Sequence, residues 1–199
     1  MCIRDSDRNV RRATERGVQF LDKNQQLDGH WVPLWFGNQH HPQETNPVYG
    51  TAKVLLAYSD LDREDDSAAE AGRAWLLANQ NDDGGWGQQA NGGMSENTTN
   101  NLTSSVEETA LALDALLSHS KSEQMQPVIN KGLEWLITAV EEDQHRRSSP
   151  IGFYFAKLWY YERLYPQIFT VAALTRALSL SAHATVRDGT NKTRIMKPL

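Results

Sequence analysis

Cysteine is nearly absent: the chain of 199 residues holds one, Cys2. A single thiol closes no intrachain disulfide and builds no thiolate-rich metal cluster, so packing alone must hold the fold, in keeping with a reducing compartment. Positive charge is also short. With 20 Lys and Arg against 25 Asp and Glu, the formal net charge is −5, which gives no basic footprint for nucleic acid. No apolar run approaches the roughly 20 residues of a membrane-spanning helix, and the first residues lack the apolar core of a signal peptide. Aromatic residues are plentiful, with six Trp and six Tyr.

The length suits one domain with a sizeable core. Met1-Cys2-Ile3-Arg4-Asp5-Ser6 matches nothing later in the chain and reads as a non-native leader over 1–6, which leaves the domain over 7–180. Ser181 to Leu199 is polar, carries Arg187, Lys192, Arg194 and Lys197 against Asp188, and shows no helical period. It reads as a loose polar tail over 181–199.

Self-similarity is the strongest signal. Anchored on Gly17, Gly72 and Gly132, the position three later is Phe20, Trp75 and Trp135, and the next is Leu21, Leu76 and Leu136. Four residues before each glycine stand Ala13, Ala68 and Val128. These offsets lay one apolar stripe along a helix, with the glycine leaving room for a close neighbour. In the first two copies Gln25 and Gln80 fall eight residues after the glycine, and Trp31 and Trp86 fourteen after it. Between them run turn residues, Leu27-Asp28-Gly29-His30 and Asn81-Asp82-Asp83-Gly84-Gly85. The third copy has neither Gln nor Trp at those places.

A second set of helices interleaves with the first. Val48-Tyr49-Gly50-Thr51-Ala52, Val106-Glu107-Glu108-Thr109-Ala110 and Ile168-Phe169-Thr170-Val171-Ala172 line up, with Pro47, Ser104 and Ser105, and Pro166 at their starts, where proline and capping hydroxyls belong. Apolar residues on most faces suit an inner ring packed on both sides. The fold class is all-α: three outer-then-inner hairpins, half of a six-hairpin α/α toroid.

Chemistry-bearing residues admit plain readings. Asp60, Asp62, Asp65 and Asp66 lie in the link between an inner and an outer helix and suit a solvated turn. Glu107 and Glu108 form potential capping boxes with Ser104 and Ser105. Adjacent His40 and His41, with Glu44 nearby, lack a third ligand at a usual spacing, and no metal site is expected. Asn97-Thr98-Thr99 and Asn101-Leu102-Thr103 fit the glycosylation pattern inside an Asn/Gly/Thr-rich stretch, Gln88 to Thr103, that reads as a long surface loop. The cluster Phe153, Tyr154, Phe155, Trp159, Tyr160, Tyr161 and Tyr165 suits core packing as well as a ring-lined wall.

Gly, aromatic plus Leu, then Gln and Gly-x-Trp at these offsets resembles the QW repeat of the triterpene cyclases, over about residues 10 to 180 and closest to the C-terminal part of squalene-hopene cyclases. Asn46-Pro47-Val48-Tyr49-Gly50-Thr51 is similar to that family's Tyr-Gly-Thr segment. Gly152-Phe153-Tyr154-Phe155 through Tyr161-Glu162-Arg163-Leu164-Tyr165-Pro166 is similar to its final aromatic segment. The resemblance implies an isomerase that cyclises squalene or a related linear polyprenyl to a hopene-like polycyclic triterpene, without a cofactor. A carboxylic acid protonates an alkene, and aromatic rings steady the passing carbocations in a dry cavity. It also implies a substrate cavity lined by Tyr49, Leu111, Phe153, Tyr154, Phe155, Trp159, Tyr160 and Tyr161, with Leu111 where the family commonly has Trp.

The family's acid opens an inner helix in an Asp-x-Asp-Asp-Thr-Ala motif, which does not occur here. Glu107 and Glu108 occupy the equivalent place in their repeat and are weak candidates for it. The acid is expected outside this sequence, and the chain is expected to be an inactive fragment alone. The resemblance further implies peripheral attachment to the cytoplasmic membrane and allows a homodimer. Two other readings share the toroid. A protein prenyltransferase β subunit needs a zinc site of Asp, Cys and His, which the lone Cys2 opposes. A non-catalytic toroid binding module has no need of the aromatic segment before Pro166.

Overall fold

The computed structural model describes residues 8–88, 104–119 and 123–192. The leader, most of the Asn/Gly/Thr-rich stretch with both glycosylation patterns, and the last seven residues of the expected tail lie outside the described residues.

Six α-helices run in chain order: α1 (Arg8–Asn24), α2 (Pro47–Asp60), α3 (Ser67–Ala78), α4 (Val106–Leu117), α5 (Gln126–Glu141) and α6 (Tyr165–Lys192). They form the outer-then-inner order of the repeat. The inner helices pack side by side, α2 on α4 and α4 on α6, while α3 backs α2 and α5 backs α4. As the middle helix, α4 is buried at every residue from Val106 to Leu117. The result is an all-α repeat of three hairpins. The last helix corrects the tail: α6 continues through Lys192, well beyond Ser181.

The starts of the inner helices follow local chemistry. Asn46 caps α2 by accepting the Tyr49 N–H at 3.0 Å, and Pro47 stands in the first turn, where its missing N–H is harmless. Ser105 caps α4 by accepting the Glu108 N–H at 3.2 Å and donates its own hydroxyl to Glu108 Oε2 at 2.7 Å. The second expected box does not form. Ser104 instead donates to Asp83 Oδ1 at 2.6 Å, because the turn after α3 brings that carboxylate closer than Glu107.

The repeat residues explain how one hairpin locks to the next. Trp31 donates its indole N–H to Leu21 O at 2.8 Å and Trp86 donates to Leu76 O at 2.8 Å, so each ring folds back on its own outer helix. Each ring also covers the glycine of the following repeat. A Cβ on Gly72 would lie 2.6 Å from the Trp31 ring, and one on Gly132 would lie 2.7 Å from the Trp86 ring. Gln25 bridges Gly29 O and Ala68 O, both at 2.8 Å. Gln80 repeats this on Gly84 O at 2.7 Å and Val128 O at 2.9 Å. Gly29 and Gly84 take φ of +102° and +103°, which only glycine adopts without strain, to make these turns. Thr51 and Thr109 complete the seats by accepting the backbone N–H of Trp31 and Trp86 at 3.0 and 2.8 Å.

A small antiparallel sheet departs from the all-helical expectation. β1 (Phe36–Asn38) pairs with β2 (Pro150–Phe153), which pairs with β3 (Leu158–Tyr161). Phe36 faces Phe153, and Gly152 faces Trp159. Aromatic and β-branched residues suit such a half-buried ribbon, but the segments are too short for alternation to reveal them in the sequence.

Candidate functional site: an aromatic face on the inner helices

The sheet brings the Phe36 ring of β1 beside Tyr49 of α2. The Phe36 ring sits 5.6 Å from Tyr49 and 6.1 Å from Phe153, with Phe36 and Phe153 stacked at 20°, and Phe153 sits 5.8 Å from Phe155. Four rings therefore run in one row from an inner helix to the exposed edge at Phe155. On the other side, Tyr160 is hydrogen-bonded to Tyr165, whose ring lies 5.3 Å from Phe169 of α6. Lys53, one turn after Tyr49 on α2, holds its Nζ 4.7 Å from the Phe169 ring and 5.8 Å from the Tyr49 ring. Burial, with Tyr165 and Tyr160 close by, pushes the Tyr49 hydroxyl above the ordinary tyrosine pKa, so it stays neutral.

The two glutamates at the head of α4 have different surroundings. Glu108 is buried, and its Oε2 accepts from Asn38 Nδ2 at 3.0 Å, Ser105 Oγ at 2.7 Å and Gln88 N at 3.2 Å. It ties β1 and the residues after Trp86 to the helix, and burial raises its pKa against those donors. Glu107 is also buried but accepts the Ser149 N–H at 3.0 Å, just before β2. Burial raises its carboxyl to about 8, so it is largely protonated at neutral pH.

The structure thus gathers Tyr49, Phe153, Phe155 and Tyr160 of the expected cavity residues, while the side chain of Tyr154 lies outside those described. Trp159 is half-buried on β3, and Tyr161 is 59% exposed at its end. Leu111 is enclosed among the helices at 2% exposure. Phe36, Lys53 and Phe169 join the group without having been singled out as site residues. A ring beside Trp35 and a lysine one turn beyond Tyr49 are the only signals the sequence offers for the first two. His40 and His41 form no ligand set: His41 Nδ1 faces Thr45 Oγ1 at 3.2 Å, and Glu44 pairs with Lys157 at 3.2 Å. Among the described residues, no three His, Cys, Asp or Glu side chains gather as they would around a metal ion.

Three hairpins joined in series by Gln and Trp, with rings gathered beside the inner helices, form an all-α repeat of the terpene cyclase kind. The profile of the squalene-hopene cyclase C-terminal domain matches residues 1–179, and the chain belongs to that family. It is 29% identical over 158 residues to a squalene–hopene cyclase of Bradyrhizobium diazoefficiens, covering 75% of this chain and 22% of that protein. It is 30% identical over 163 residues to an ent-copalyl diphosphate synthase of a Streptomyces species, covering 81% of this chain and 26% of that protein. A terpene cyclase-glycosyl transferase fusion protein of Humicola fuscoatra is 29% identical over 177 residues, covering 83% of this chain and 12% of the fusion. The solved ent-copalyl diphosphate synthase of Streptomyces platensis shares the fold at a TM-score of 0.55 and 21% identity, over 85% of this chain and 29% of that one. The chain therefore spans about a quarter or less of the length of these curated relatives.

Proposed function

We propose that this chain is one wall of the cyclisation cavity of a class II terpene cyclase, an enzyme that folds a linear polyprenyl, squalene or a relative of it, into a fused polycycle. The row Tyr49–Phe36–Phe153–Phe155 carries this reading. Ring faces attract a cation by roughly 0.5 to 2 kcal/mol each, more as water is excluded, and do not capture it as a hydroxide does. Successive centroids 5.6, 6.1 and 5.8 Å apart offer a continuous path for a charge that migrates as rings form.

In that reaction a carboxylic acid gives its proton to a terminal alkene, forming one C–H bond and leaving a cation on the neighbouring carbon. Each next double bond supplies the electron pair for a C–C bond, and loss of a proton or addition of water ends the cascade. The acid belongs to a part of the protein outside this sequence, and further hairpins would close the toroid around the wall. The half-buried part of the row, Tyr49, Phe36 and Phe153, would hold the chain and exclude water, while the neutral Tyr49 hydroxyl offers no anion to quench the cascade. Leu34, Trp35 and Leu158 are exposed beside the sheet and suit peripheral contact with a lipid surface from which such a substrate enters. Among the described residues no helix is long and apolar enough to cross a membrane.

The test is to incubate the full-length protein that contains this segment with linear polyprenyl substrates and to resolve the products by gas chromatography and mass spectrometry. A polycyclic product is expected, with Phe153→Leu shifting the product distribution toward incompletely cyclised forms. Recovery of unchanged substrate from the folded full-length protein refutes the reading.

A further inference from the structure

The three inner helices differ at one position of their repeat. Tyr49 of α2 and Phe169 of α6 supply rings there, each beside another ring of the cluster, and α4 has Glu107. Glu107 is buried and accepts the Ser149 N–H at 3.0 Å, one residue before β2. The next position is Gly50 in α2 and Thr170 in α6. In α4 it is Glu108, also buried, whose Oε2 accepts from Asn38 Nδ2 of β1 at 3.0 Å. Asn38 is 1% exposed and has both amide hydrogens committed, the second to Gln88 O at 2.9 Å, while its Oδ1 accepts the His40 N–H at 2.9 Å. Gly87, at φ +88°, lets the chain after Trp86 close on the Glu108 carboxylate, which a Cβ there would overlap. Burying two carboxyl groups is costly unless each is hydrogen-bonded, so their place at the head of the middle helix calls for a reason beyond packing.

The two ties grip the same end of the strand ladder. Asn38 pairs with Ile151, two residues after Ser149, and Phe36 pairs with Phe153 at the other end. These strands have only three and four residues, and a slip of one residue turns every side chain to the opposite face. Fastening Asn38 and the entry to β2 to adjacent residues of α4 sets both strands against one helix. Tyr49 stands on α2, which packs beside α4, so the same fastening sets Phe36 and Phe153 relative to Tyr49.

We propose that Glu107 and Glu108 are positioning residues for the cyclisation: acting through the sheet and without touching substrate, they hold Phe36 and Phe153 in line with Tyr49 and so decide how far the cascade runs. This rests on the cyclase reading above and adds two polar residues to a wall otherwise made of rings.

The test introduces 4-fluorophenylalanine at Phe36 of the full-length protein, with Phe20 of α1 as the control position. Wild type, Glu108→Ala and Glu108→Gln are compared by fluorine NMR and by product analysis on squalene and geranylgeranyl diphosphate. Glu108→Ala should shift or broaden the Phe36 signal and leave that of Phe20 unchanged. Because a misplacement of about 1 Å costs up to about a hundredfold in rate, kcat should fall about tenfold with KM within about twofold, and incompletely cyclised products should rise about threefold. Glu108→Gln keeps an acceptor for Asn38 and should restore signal, rate and products. Where Glu108→Ala does not fold, Asn38→Ala breaks the same bond from the strand side and is read in the same way. Glu107→Ala and Glu107→Gln repeat the comparison with the label at Phe153. A folded alanine variant with an unmoved ring signal or unchanged products overturns the proposal and leaves the cyclase reading standing, as does a glutamine variant that restores neither. Absence of turnover by the folded wild type refutes the cyclase reading, and a ring signal that still follows the glutamates keeps the tie between α4 and the rings. Absence of turnover with ring signals indifferent to both glutamates overturns both.

Discussion

The first two repeats and the third end in different ways. After α1 and α3 the chain turns on glycine, sends a Gln to the next outer helix and seats a Trp on the next repeat's glycine, with Trp86 fully buried and Trp31 nearly so. After α5 there is no Gln or Trp at those offsets, and the chain instead builds β2 and β3, whose rings are largely half-buried or exposed. Regular repeats fix one hairpin against the next. The repeat that breaks the rule carries the aromatic face, in keeping with the tendency of proteins to depart from local regularity at functional sites.

The comparison breaks most clearly at a Trp seat. Trp86→Ala empties a fully buried site between α3, α4 and α5 and should cost about 3–5 kcal/mol, read by thermal or urea unfolding of the full-length protein. A loss below about 1 kcal/mol would mean that the seat is not what joins the hairpins.

Glu107 gives the next effect, through pH. Its carboxyl is raised from 4.5 to about 8 in the folded protein, so the folded state holds the proton more tightly than the unfolded chain. Its stabilising contribution is complete below pH 4.5, declines as pH rises toward 8 and is gone above that. Glu107→Gln keeps an acceptor for the Ser149 N–H and cannot ionise, so its melting temperature should fall less than that of the wild type between those limits. Parallel pH profiles would show that Glu107 titrates normally.

Thr109→Val tests the seat more gently. It leaves the buried Trp86 N–H without its acceptor and should cost about 1–3 kcal/mol in the same unfolding measurement, with an unchanged stability placing the N–H elsewhere. Tyr161→Ala tests the other side of the comparison and should move stability least, by about 0.5 kcal/mol or less, because its ring is exposed at the end of β3. A change in product distribution at unchanged stability is the expected result, and unchanged products would assign Tyr161 to the surface alone.

Much of the scaffold was legible beforehand because its signals are local and repeated. Gly17, Gly72 and Gly132 with their aromatic-Leu pairs marked the outer helices, and Pro47 and Ser105 marked the starts of inner ones, since caps and helical stripes act within a turn or two. The Ser104–Glu107 box failed because Asp83, distant in sequence, competes for the hydroxyl. The tail misled because its polar composition hides the continuation of α6, where neighbours in space, more than periodicity, decide helix length.

The sequence by itself determined the hairpin order, the Gln and Trp seats and the wealth of aromatics, because each depends on residue type at fixed spacing. Only the tertiary structure decided which rings form one row, that Phe36 enters it across a strand pairing more than a hundred residues away in sequence, that Glu107 sits buried with one backbone donor, and that Lys53 stands between Tyr49 and Phe169. Those are matters of long-range proximity and of water excluded by packing, which no local spacing encodes.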